Sequence, residues 1–103
     1  MEHEGVRQVV KSFVQAGKVV GAICAAPTIL ADLGLLEGKH ATCYPACEEN
    51  MKGAILTGAP VTVDANLITS RGVGTAIDFA LELIRVLSGE EMAKKIASDI
   101  VYV

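Results

Sequence analysis

Tryptophan is absent from the 103 residues, and tyrosine and phenylalanine supply only two each. A core without large rings has to be filled by aliphatic side chains and alanine, the usual filling of a parallel sheet covered by helices. Basic runs are absent as well. With a net charge of −3 and no interleaving of aromatic and basic residues, the chain offers no footprint for nucleic acid. No apolar run suits a bilayer, because the longest uncharged stretch, 19–31, is broken by Gly21 and Pro27. The first residues, Met1-Glu2-His3-Glu4, lack the positive and apolar regions of a secretory leader. Histidine is scarce: His3 sits in the terminal segment and His40 near the start of a strand.

Three cysteines cannot close a disulfide framework by themselves, so a reducing cytoplasm is the expected compartment. Cys43 and Cys47 have a C-x-x-x-C spacing that matches no zinc signature, and neither a metal nor another cofactor is expected. What is present is plainly globular. Hydrophobic residues make up 51% of the chain and charged residues 20%, enough for one domain.

Val6, Val9, Val10, Phe13 and Val14 repeat at helical spacing, and Gly17 is placed to end that helix. A strand is expected over 19–23, then a turn at Cys24 and a short helix carrying Ile29, Leu30 and Leu33. A second strand should cover 40–43, with His40, Thr42 and Tyr44 on one side and Pro45 as its stop. Residues 48–53 suggest a turn of helix, and 55–60 a loop or irregular strand. The best hairpin is 61–63, turn 64–66, then 67–70. Thr75 and Asp78 have a capping-box spacing ahead of a helix over 77–87, which Gly89 ends. A further short helix over 90–97 and a strand or ordered tail over 100–103 complete the chain. Strand–turn–helix order argues for a parallel sheet with helices on both faces.

The chemistry concentrates in Val19-Val20-Gly21-Ala22-Ile23-Cys24-Ala25-Ala26-Pro27-Thr28. Pro27 suits the first turn of a helix, so Cys24 falls between a strand end and a helix start, where open α/β sheets bind ligands. The amides of Ala25 and Ala26 would point toward it, and the helix dipole favours a thiolate there. A second strand-to-helix turn, Ser70-Arg71-Gly72-Val73-Gly74, would open at the same edge, with Arg71 able to fork onto a carboxylate or phosphate. The alternatives are a buried structural cysteine and a glycine turn with Arg71 in a structural salt bridge. No histidine is placed as a base for Cys24.

Ala22-Ile23-Cys24-Ala25-Ala26-Pro27-Thr28 together with Ile68-Thr69-Ser70-Arg71-Gly72-Val73-Gly74-Thr75 resembles the ThiJ/PfpI family, which includes the parkinsonism-associated protein deglycase. That family belongs to the class I glutamine amidotransferase-like superfamily. The resemblance runs from about Val6 to the C-terminus. It implies a flavodoxin-like three-layer sandwich, represented by its C-terminal half as a single partial domain over 1–103, and usually dimeric. Cys24 would be the nucleophile-elbow cysteine, and Ala25, with Ala26 beside it, would form the oxyanion pocket. Arg71, flanked by Gly72 and Gly74, would bind an anion or substrate. Tyr44 stands where many members have a histidine and would line the site. The family's proton-transferring glutamate belongs to the N-terminal half, which has no counterpart in this sequence. The resemblance implies action on small dicarbonyls or their adducts, in a homodimer or in association with that missing half. A redox sensor, a holdase-type chaperone or an inactive fragment are the other expectations, with Cys43 and Cys47 as resolving thiols if they lie close.

Overall fold

The computed structural model describes residues 4–102. Its elements in chain order are α1 (Glu4–Gln15), β1 (Val20–Ile23), α2 (Pro27–Asp32), β2 (His40–Ala41), a 3-10 helix (Pro45–Asn50), β3 (Ile55–Leu56), β4 (Val61–Asp64), β5 (Leu67–Ser70), a 3-10 turn (Val73–Thr75), α3 (Ala76–Ser88) and α4 (Glu90–Asp99). His3 and Val103 lie outside the described residues. No helix among the described residues is long and apolar enough to cross a membrane.

The main sheet has the order β1-β5-β4. β1 and β5 run parallel, with Val20 opposite Leu67 and Ile23 opposite Ser70, whereas β4 and β5 form the expected antiparallel hairpin. Its turn narrows to Ala65-Asn66, with Ala65 at φ +53. Asn66 Nδ2 donates to Val14 O (3.1 Å) and Lys18 O (2.9 Å), which ties the hairpin to the end of α1. Gly17, at φ +76, closes α1 while Lys18 N reaches back to Phe13 O, the bonding of a glycine-ended helix.

Helices cover both faces of this sheet. On one side α3 approaches β1 so closely that a Cβ on Gly21 would lie 2.9 Å from Phe79 Cζ and 3.1 Å from Leu83 Cδ2. Only a residue without a side chain fits there. On the other side Ala22 and Leu67 meet Leu30, Ala31, Leu36, Ala41, Cys43 and Met51, with Val10 and Val14 of α1 packed against them. As the composition foretold, aliphatic and alanine side chains fill the core. Strand alternation splits each strand between these two layers.

Three local expectations differ. The second strand is only two residues long; it pairs in parallel with β3, so of the two expectations for 55–60 the strand is the one that forms, at 55–56. Because β2 stops at Ala41, its alternation does not continue: Thr42 is buried while His40 and Tyr44 are exposed. The capping box at Thr75 does not form, because the Thr75 hydroxyl turns back to accept from Arg71 N (3.2 Å) and Gly72 N (3.1 Å). Asp78 instead accepts from the Tyr102 hydroxyl. The tail beyond α4 is a turn, with Val101 at φ +60 and Tyr102 N bonded to Ala97 O.

At the amino edge of the sheet, His40 N donates to Asp64 Oδ2 at 2.7 Å, and His40 Nδ1 lies 3.3 Å from the same oxygen. The backbone bond from His40 is the main reason the Asp64 carboxyl is held below its usual 3.8. A depressed folded-state value means that the stabilisation is present above about pH 3.9, the unfolded carboxyl value, and is lost as pH falls through the folded one. Asp64→Asn is therefore expected to lower the urea midpoint at neutral pH, and the gap to the parent should close on acidification below 3.8. A gap independent of pH would show that Asp64 acts through its shape alone.

Candidate active site

β1 and β5 end side by side, so the turns that follow them open at one edge of the sheet. Cys24 N donates to Ser70 O at 3.1 Å, and Cys24 O accepts from Tyr44 N at 2.8 Å. Both peptide groups of Cys24 are thus fixed by neighbouring segments. Cys24 itself takes φ +66, the left-handed region that non-glycine residues avoid, and its side chain is exposed. This is a sharp strand-to-helix turn that presents the thiol to solvent. Pro27 opens α2, as the sequence suggested, and the Thr28 hydroxyl donates to Ala25 O (2.6 Å), which tightens the turn.

The two amides expected to face the thiol are not equivalent. Ala26 N donates to Ile23 O at 3.2 Å and is unavailable, which corrects the expectation for that residue. Ala25 N has no hydrogen-bond partner among the described residues. One amide, not two, is left to meet a developing negative charge.

Arg71 is also placed differently from an anion binder. Its Nε donates to Cys43 O (3.0 Å), Nη1 to Gly58 O (3.1 Å) and Nη2 to Glu48 Oε2 (3.1 Å). The guanidinium is a strut between the 43–48 segment and the loop at Gly58. The neighbouring amides of Arg71 and Gly72 are taken by Thr75 Oγ1, so this turn satisfies itself. Its glycines are not forced by crowding either. A Cβ on Gly72 would meet Tyr44 Cδ1 at an ordinary 3.7 Å, and one on Gly74 would meet nothing within 4 Å. The structural-salt-bridge alternative for Arg71 is the one the geometry supports.

Tyr44 stands between the two turns, its backbone on Cys24 and its ring beside Gly72. Cys43, next to it, is fully buried, and burial first of all pushes its thiol above the ordinary 9.0; Cys47, Glu48 and Cys24 add to that and Arg71 opposes it. Glu48 was missed by the sequence reading, although an acid three residues after a proline-stopped strand is a natural partner for an arginine at the sheet edge. His40 is at the opposite edge, as expected. Among the described residues no cluster of His, Cys, Asp and Glu is arranged to hold a metal.

The chain is similar to known proteins in sequence and in fold. Residues 1–86 match the profile of the DJ-1/PfpI family. Protein dj-1beta of Drosophila melanogaster is 38% identical over 97 residues, covering 92% of this chain and 52% of that protein. A Caenorhabditis elegans protein named glutathione-independent glyoxalase DJR-1.2 is 34% identical over 88 residues, covering 84% of this chain and 47% of its own. Among solved structures, oxidized Toxoplasma gondii DJ-1 superposes with a TM-score of 0.92 at 36% identity, covering 99% of this chain and 56% of that one. The chain spans about half the length of the curated relatives it matches. Its sequence and its α/β architecture both match, and the chain belongs to the DJ-1/PfpI family.

Proposed function

We propose that this chain carries the nucleophilic half of a cysteine-dependent site for small reactive dicarbonyls or their adducts. The observation that carries the reading is Cys24 at φ +66, exposed at the sheet edge with the unpaired Ala25 amide beside it. The Cys24 thiolate would add to an aldehyde carbon, forming the C–S bond of a hemithioacetal as the carbonyl electron pair moves onto oxygen. Ala25 N–H would stabilise that oxyanion. Tyr44 would line the pocket, and Arg71 would hold Tyr44's segment in place instead of binding substrate. Proton transfer would fall to a carboxylate from the other half of the family domain, since Glu48 is held by Arg71. A relative bearing the name glyoxalase supports this choice of substrate.

Association belongs to the same proposal. α1 shows Val6, Val9 and Phe13 to solvent, α3 shows Ile77, Val86 and Leu87, and Val73 is 95% exposed. These apolar surfaces suit a second copy of the chain or the remaining half of the domain. The free cysteines fit a reducing compartment such as the cytoplasm.

The test is consumption of methylglyoxal by the parent and by Cys24→Ser, with native mass spectrometry of both samples to read what each is bound to. Loss of turnover in the variant at unchanged association is expected. Equal turnover in the two would overturn the reading. A second reading is oxidation without turnover, in which a peroxide converts the Cys24 thiolate to a sulfenic acid. It is favoured by the exposed thiol, and by a relative whose structure is described as oxidized. Intact mass after mild peroxide, with oxygen added at Cys24 first, is its expected signature.

A further inference from the structure

The two cysteines that the proposed reaction leaves unused share one acceptor, Cys43 through its thiol and Cys47 through its backbone amide. Tyr44 O accepts from Cys47 N at 2.8 Å and from Cys43 Sγ at 3.3 Å, so both residues converge on the same carbonyl oxygen. The fold holds them there. Tyr44 N is anchored on Cys24 O, Cys43 O is held by Arg71 Nε, and Glu48, the residue after Cys47, is held by Arg71 Nη2. Cys43 is a member of the apolar cluster beneath the sheet, and Cys47 packs against the same cluster. No metal cluster competes for these thiols among the described residues.

We infer that Cys43 and Cys47 form a reversible dithiol, a modification site separate from Cys24 that takes low-molecular-weight disulfides as its oxidant. Cys47 is the entry point, because it is half-buried whereas Cys43 is 0% exposed. Its thiol loses a proton to water and attacks one sulfur of RSSR, and RS⁻ leaves and is protonated. The Cys43 thiol then gives up its proton, attacks Cys47 Sγ and displaces the second RS⁻. Two protein thiols and RSSR become one protein disulfide and two RSH.

Electrostatics point the same way. Of the ionisable groups acting on the buried Cys43 thiol, Cys47 acts most strongly, ahead of Glu48, Arg71 and Cys24. Burial, Cys47, Glu48 and Cys24 raise the Cys43 thiol and only Arg71 lowers it, so the Cys43 thiolate is not stabilised in the reduced form. Dithiols that are strong oxidants depend on such stabilisation. Closing the S–S bond also removes the Cys43 S–H that now donates to Tyr44 O, which carries the change to the residue hydrogen-bonded to Cys24.

The experiment equilibrates the reduced chain with graded ratios of oxidised to reduced glutathione, quenches, alkylates and digests with trypsin. Lysines 18, 39 and 52 separate Cys24 in peptide 19–39 from Cys43 and Cys47 in peptide 40–52. Peptide 40–52 should lose two hydrogens and refuse the alkylating agent, while peptide 19–39 stays alkylated or singly glutathionylated. The folded chain should reach half-oxidation at an oxidant ratio at least about tenfold lower than the urea-unfolded chain. Equal or harder oxidation when folded would overturn the inference, as would cross-linking of 40–52 to 19–39. In Cys43→Ser, Cys47 should stop at the mixed disulfide with glutathione; an unreacted Cys47 there would refute it as the entry point. Cys24→Ser should oxidise at 43 and 47 like the parent, which keeps this test independent of the activity at Cys24.

Discussion

Ile68→Ala is expected to lower the unfolding free energy by about 3 kcal/mol, within the usual range for a buried isoleucine truncated to alanine. Ile68 is 0% exposed in β5, the strand that bonds to β1 on one side and to β4 on the other. Few other side chains can compensate. Much of the core is alanine, and the other large aliphatic residues buried to about the same degree are Leu30, Leu36 and Leu67, which belong to the opposite layer. The cavity would open beneath α3, a helix with no buried residue of its own to move in. Urea titration should show a lower midpoint at an unchanged slope. A loss below about 1 kcal/mol would mean that α3 settles onto the sheet and fills the space.

Arg71→Ala should cost about 2–3 kcal/mol, because it removes three hydrogen bonds at once from a side chain that is 25% exposed. The ion pair is the smaller part. Glu48 is itself 38% exposed, so Glu48→Gln should cost only about 0.5 kcal/mol. The larger loss comes from the carbonyls of Cys43 and Gly58, which lie in different segments and share only this guanidinium. Arg71→Lys should therefore recover less than half, since a single ammonium cannot reach acceptors on three sides. Complete rescue by lysine would show that charge, not the planar fork, is what the site needs. Measured in the same samples, faster alkylation of Cys47 in Arg71→Ala would report the loosening of the 43–48 segment.

The contrast between Arg71 and Cys24 shows what the sequence could express. Cys24 was legible because its signals are local: an uncharged strand, then a proline at the first turn of a helix, put an elbow between them. The α1 helix, the 61–70 hairpin and the α3 stripe were legible for the same reason, each being a pattern read within its own window. Arg71 had a familiar motif around it, but its acceptors are backbone carbonyls 28 and 13 residues away, and a carbonyl has no letter in the sequence. The same holds for the amides at the elbow. Nothing in Ala25-Ala26 tells which N–H turns back to Ile23 and which is left free. The parallel pairing of β2 with β3 was hidden because two-residue strands carry no periodicity, and Thr42 is buried against Thr69 Oγ1 by a contact that no alternation rule foretells.

The left-handed conformation at Cys24 also bears on how this protein would respond to selection in the laboratory. Holding an L-residue at φ +66 costs about 1–2 kcal/mol that glycine would not incur. A screen that rewards only resistance to heat or denaturant would be drawn toward glycine at position 24, and would discard the thiol while improving its score. Cysteine persisting there through such a screen would have to be retained by something other than folding.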